Sequence, residues 1–256
     1  MPSWQIHPVY QPIVSLQDGN ILGFEALTRD ESPNGVPPQA LFEAAQTSGH
    51  LFCLEMLARR LAIENHPPLE DQRKLFLNVA PDILMDPHYQ QGLTLVELAR
   101  HQVAMNSVVL EVTEQFRVYN PAALNQVMRH YQQQGFLVAI DDFGSGYANL
   151  NLLAEIAPDF LKLDYQLVHD IAHKLRSQSI VQAIMSFAEA THTRLIAEGL
   201  ENLADLQWLR DHGIAYGQGY LLGRPQLTYS SHCVQQVRER WRAAVTGAGL
   251  HPPITV

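Results

Sequence analysis

Cysteine, basic residues and long apolar runs are all in short supply. The chain's two cysteines, Cys53 and Cys233, have no paired spacing for zinc, and so few in 256 residues exclude a disulfide framework. A reducing compartment is the simple reading. Lys and Arg number 17 against 26 Asp and Glu, a formal net charge of −9. A long nucleic-acid polymer needs a basic surface, so no such partner is expected. A small phosphate ligand held through metal ions stays open, because bound cations reverse the sign of a single pocket. No apolar run approaches the ~18 residues of a membrane helix. The opening residues Met1 to Gln5 lack the basic and apolar regions of a signal peptide. The expectation is a cytoplasmic protein with no membrane segment. Internal repeats, low-complexity tracts and linkers are also missing, so residues 1–256 are expected to form a single domain.

Hydrophobic residues make up 46% and charged residues 17%, enough for a sizeable core. Tyr10 to Val14 and Ile21 to Leu27 are apolar stretches joined by Asp18-Gly19-Asn20, a hairpin signal that makes the first two strands antiparallel. After them, strand and helix signals alternate. Strands are expected at Leu75–Leu77, Val108–Val112, Phe136–Ile140, Phe160–Leu163, Leu195–Ala197 and Ile214–Tyr216. Helical periodicity marks Leu54 to Leu61, Leu95 to Ala104, a stretch capped by Asn120 with Pro121 first, Ala148 to Ile156, Ile180 to Phe187, Leu203 to Leu209 and Val234 to Ala244. This order predicts an α/β protein, a modified (β/α)8 TIM-like barrel with the first strand antiparallel; an open doubly wound sheet is the alternative.

The strands share a type of ending. Glu25 lies near the end of the second, Asn78 closes the third, Glu111 sits in the fourth and Asp141-Asp142 end the fifth. Lys162 falls in the sixth, with Glu198 just after the seventh and Gln218 just after the eighth. Polar groups at the carboxyl ends of parallel strands converge on one mouth of a barrel. For any single acid, a solvated strand end is the ordinary reading; so many in register argue for a site. Five carboxylates and an amide gathered there need cations to offset their repulsion, and oxygen ligands without Cys or His favour Mg²⁺ or Mn²⁺ over zinc. The adjacent Asp141 and Asp142 suit a carboxylate that bridges two ions acting on a phosphodiester.

These residues resemble the EAL-domain family of c-di-GMP-specific phosphodiesterases. Glu25-Ala26-Leu27, within Gly23 to Arg29, resembles the signature that names the family, and Tyr10-Gln11-Pro12-Ile13-Val14 the motif before it. Leu77-Asn78-Val79, Leu110 to Glu114, Asp141 to Tyr147, Lys162-Leu163-Asp164, Ala197 to Glu201 and Gln218-Gly219-Tyr220 follow in the family's order. The likeness covers residues 8 to about 245 and implies hydrolysis of the cyclic dinucleotide c-di-GMP to linear pGpG by in-line attack of water. It implies Glu25, Asn78, Glu111 and Asp141 as ligands of one divalent cation, and Asp141, Asp142 and Glu198 as ligands of a second. Lys162 would hold the attacking water, Glu114 anchor the loop after Asp142, and Glu201 and Gln218 support the metal-water network. Gln11, Leu27, Arg29, Asp164 and Gln218 would contact the dinucleotide. Mg²⁺ or Mn²⁺ is expected to support turnover and Ca²⁺ to inhibit it. Relatives often dimerise, so a homodimer is compatible with the resemblance.

Two positions depart from the family pattern: Ala80 stands where Ser is usual, and Asp30 where Trp often follows the arginine. Neither removes an expected ligand. The alternatives are a non-catalytic c-di-GMP receptor or protein adaptor, and a two-metal hydrolase of another phosphodiester. His169 and His173, read as neighbours on one helix, lack the glutamate and third ligand of a zinc protease.

Overall fold

A computed structural model describes residues 4–32, 35–80, 83–84, 86–113, 121–145, 153 and 158–246. The strands are β1 (Ile6–Ser15), β2 (Ile21–Asp30), β3 (Lys74–Val79), β4 (Val108–Thr113), β5 (Leu137–Phe143), β6 (Phe160–Leu163), β7 (Arg194–Ala197) and β8 (Tyr216–Gly217). They close into a barrel in chain order. β1 runs antiparallel to both neighbours, pairing Gln11 with Glu25 of β2 and Val14 with Gly217 of β8. Every other ladder is parallel. The Asp18 side chain accepts the Asn20 backbone N–H at 3.0 Å, and Gly19 takes φ 73°, so the turn reverses the chain as its composition predicts.

Two cores result from strand alternation. The outer one lies between barrel and helices and takes residues such as Leu75, Leu77, Leu110, Val138, Ile140 and Leu161. The inner one fills the barrel with Ile13, Phe76, Val109, Ala139, Phe160 and Ile196. Strands buried on both faces read as unbroken apolar runs, which is why periodicity alone locates them only loosely.

Several boundaries differ from expectation. Helix Pro38–Thr47 was not anticipated: it is ten residues long, no side chain caps its start, and Pro38 is the main local signal. Helix Leu93–Arg100 stops short of Ala104. β8 is Tyr216–Gly217, because Ile214 donates its backbone N–H to Leu209 and closes helix Leu203–Asp211 instead. His169 and His173 do not share a helix: Asp170, left-handed at φ 60°, separates the one-turn helix Tyr165–Val168 from the 3₁₀ turn Ile171–His173. Asn120 lies outside the described residues, as do all but Leu153 of the helix expected at Ala148–Ile156. No helix among the described residues is long and apolar enough to cross a membrane.

Candidate active site

Each residue of the inner core is followed, two positions along its strand, by a polar residue at the mouth. Phe76 leads to Asn78, Val109 to Glu111, Ala139 to Asp141, Phe160 to Lys162 and Ile196 to Glu198. Successive side chains alternate faces, so a two-residue step keeps the inward direction and climbs one layer. In the reversed β1 the step runs backwards, from Ile13 to Gln11. Gly23 fills the corresponding place below Glu25, where an added Cβ would lie 2.2 Å from the Lys74 carbonyl oxygen.

Asp141 and Asp142 cannot both face inward on a regular strand. The β5–β6 register shifts between Ile140 and Phe143, three residue steps on β5 against two on β6, and Asp142 takes φ 56°. This bulge turns the second carboxylate to the same mouth as the first. Asp141, Asp142 and Glu198 consequently offer oxygens that all lie within 4.8 Å of one another, as do Glu25, Glu111 and Asp141. Asp141 belongs to both groups.

Lys162 stands at the centre, 1% exposed. Its Nζ lies 2.8 Å from Glu198, 2.9 Å from Asp141, 3.0 Å from Glu111 and 3.4 Å from Glu25. Burial works to lower its pKa, but the carboxylates of Asp141, Glu111, Glu198 and Glu25 together outweigh it and hold the ammonium charged. Burial pushes Glu111 well above the usual carboxylate range against the pull of Lys162, and does the same to Glu198. One ammonium cannot neutralise five acids. Glu111 Oε2 is also buried without a hydrogen-bond partner. An orphaned carboxylate oxygen in an all-oxygen donor set is what a bound cation would satisfy, so the residues fit a metal.

Gln218 Nε2 donates to Glu25 Oε2 at 2.6 Å and to Gln11 Oε1 at 3.1 Å, while Gln11 Nε2 donates to the Gly223 carbonyl at 3.0 Å. This buried chain ties Glu25 to the segment after β8, a connection that sequence reasoning missed because the two glutamines lie 207 positions apart. Asn78 Nδ2 reaches Glu25 Oε1 at 3.4 Å. Leu27 and Arg29 are half-buried in the wall of a cleft of about 670 Å³ that also reaches Glu25, Asn78 and Asp141. Phe42 and Gln46 of the unanticipated helix line it as well. Asp164 is buried and caps helix Tyr165–Val168, accepting the Gln166 N–H at 2.8 Å. Glu201 is exposed after β7 and belongs to neither carboxylate group. Glu114 lies outside the described residues.

A family model described as the EAL domain matches residues 3–225. The chain is 31% identical over 224 residues to the probable cyclic di-GMP phosphodiesterase PdeB of Escherichia coli K12, which covers 84% of this chain and 42% of that protein. It therefore spans less than half the length of that relative. A standalone versatile EAL protein from Vibrio cholerae O395, solved in a c-di-GMP-bound form, has a TM-score of 0.80 at 29% identity, covering 88% of this chain and 94% of that one. A manganese/cy-diGMP complex of Klebsiella pneumoniae BlrP1 has a TM-score of 0.77 at 30% identity, covering 88% of this chain and 57% of that one.

Proposed function

This chain belongs to the EAL domain family, and on that premise we propose that it is a metal-dependent phosphodiesterase that opens c-di-GMP to linear pGpG. The observation that carries this reading is the pair of carboxylate groups sharing Asp141 around one buried lysine. Glu25, Asn78, Glu111 and Asp141 would hold one divalent cation, and Asp141, Asp142 and Glu198 the other. Bound Mg²⁺ or Mn²⁺ would supply Lewis-acid polarisation of the phosphodiester and lower the pKa of a water. Ca²⁺, larger and looser in geometry, would inhibit.

The chain's own residues then have separate tasks. Lys162, held charged among four acids, would present an N–H donor to the attacking water where those acids turn their oxygens to bound cations. Gln218 and Gln11 fix the Glu25 carboxylate, which in this reading adds an orienting role to the dinucleotide contacts that the resemblance implies for both. Arg29 and Leu27 stand in the cleft wall, placed to meet the dinucleotide, and Asp164 would meet a guanine edge. Glu114 would anchor the loop after Asp142, and Glu201, exposed in this structure, would turn in to the water network. The chain would work in the cytoplasm, folded as one domain, as a monomer or a homodimer.

Purified chain incubated with c-di-GMP and Mn²⁺ or Mg²⁺ is expected to yield pGpG, resolved by ion-exchange chromatography. Absence of product under either metal, with nucleotide still bound, would replace this reading with that of a receptor.

A further inference from the structure

The cleft wall holds a buried ion pair to which the proposed chemistry gives no task. Glu55 and Arg59 stand one turn apart on helix Leu51–Glu64, 6% and 4% exposed. Arg59 donates through Nη2 to Glu55 Oε2 at 3.4 Å and through Nη1 to Oγ1 of buried Thr94 at 3.0 Å. The other carboxylate oxygen of Glu55, Oε1, accepts the buried backbone N–H of Ala80 at 2.7 Å. Both Glu55 and Arg59 line the cleft beside Asn78, Val79 and Ala80.

Stability explains this pair poorly. A buried ion pair is typically no better for stability than well-packed apolar residues of the same volume, because desolvation offsets the attraction. What it does fix is a strand end. β3 is laddered to β4 as far as Val79 with Val112, but to β2 only as far as Ala26 with Leu77. Asn78, one residue beyond that last pairing, has ladder support on one side alone. The bond from Ala80 to Glu55 holds the backbone just past it.

We infer that Glu55, paired with an Arg59 that Thr94 anchors in turn, is a positioning residue that fixes the Asn78 strand end for the cation that Glu25, Asn78, Glu111 and Asp141 would hold. The inference rests on the metal reading of the mouth. Glu55 acts through its accepting oxygen rather than its charge, which separates the two conservative variants. Glu55→Gln keeps an oxygen at the same reach, whereas Glu55→Asp keeps the charge but draws the acceptor back by about 1.5 Å, one carbon–carbon bond.

The test is calorimetric titration of the full chain with Mn²⁺, with folding checked by circular dichroism. Glu55→Leu is expected to weaken binding by about tenfold or more, the usual cost of losing an outer-shell partner. Glu55→Gln should stay close to the unaltered chain and Glu55→Asp fall well below it. That ranking decides the matter even if Glu55→Leu fails to fold. The reverse ranking, or equal affinity in all folded variants, overturns the inference while leaving the metal site intact. No Mn²⁺ binding by the unaltered chain overturns the metal reading itself and this inference with it.

Discussion

The floor of the barrel interior, made by Ile13, Phe76, Val109, Ala139, Phe160 and Ile196, and the mouth above it, lined by Gln11, Asn78, Glu111, Asp141, Lys162 and Glu198, come from the same strands two residues apart. Backbone geometry is shared, yet the chemistry is opposite. The floor is apolar and fully buried, with Phe76 and Phe160 in edge contact at 5.3 Å between centroids. The mouth crowds carboxylates around one ammonium and leaves a buried oxygen of Glu111 unpartnered. The lower layer supplies rigidity that the upper one lacks, so stability and chemistry occupy adjacent layers of one scaffold.

Substitutions in the two layers should therefore fail in opposite ways. Asp141→Ala removes the carboxylate common to both acidic groups and should lower turnover by at least about a hundredfold to a thousandfold, the range seen when one electrostatic group at a reacting centre is lost. Its metal-free melting temperature should change little, because repulsion among the acids and attraction to Lys162 are lost together. Phe76→Ala opens a cavity in the floor and should cost about 3–5 kcal/mol of stability, measured by urea unfolding, while its Mn²⁺ affinity suffers less than that of Asp141→Ala. If Asp141→Ala unfolds the metal-free chain and Phe76→Ala does not, the two layers do not divide the work in this way.

A smaller effect follows from pH. Burial raises the pKa of Glu111 and of Glu198 above the ordinary value, so above about pH 4.3 the metal-free folded state keeps protons that the unfolded chain has released. Extra protons on the folded side mean that metal-free stability falls as pH rises from there. The raised pKa of Lys162 adds nothing to this slope, since its ammonium stays charged in both states well below the ordinary lysine value. Cations displace those protons, so Mn²⁺ should bind more tightly at about pH 8 than at about pH 5 and flatten the stability slope between them. Unfolding curves in chelator and in Mn²⁺ would show it. A slope equally flat without metal would mean that the mouth is less crowded with charge than its distances suggest.

Much of this architecture is written in local sequence. A hairpin signal reverses β1, and polar residues interrupt apolar strands where the mouth begins, so Glu25, Asn78, Glu111, Asp141, Lys162 and Glu198 can be marked before any coordinates. What local sequence withholds is partnership. Nothing near Glu55 says that it reaches Ala80, 25 positions on, and nothing near Gln11 names Gln218. Helix Pro38–Thr47 escaped because it is short and opens without a side-chain cap. Glu201 follows an acid of the mouth closely in sequence, yet its backbone has left the strand and its side chain points to solvent. Composition places a residue at a strand end; the step count from the floor decides whether it faces in.

Asp142 is the exception to that step count, and it offers the finest test of the comparison. It faces the mouth because the β5 bulge puts it in the left-handed region, φ 56°, which Asp and Asn tolerate better than other residues with a Cβ. Asp142→Asn and Asp142→Ala both discard the carboxylate of the second acidic group and should both lose turnover, alanine the more, because asparagine keeps an amide oxygen of the kind Asn78 would offer a cation. In the metal-free chain the difference between them is chiefly one of backbone cost. Alanine should be less stable than asparagine by about 1 kcal/mol, the lower end of the penalty for an L-residue held in that region. Paired urea unfolding curves resolve such a difference when their slopes agree. Equal midpoints would mean that the bulge relaxes when the acid is gone, and hence that Asp142 is held in place by what it binds rather than by the strand it sits on.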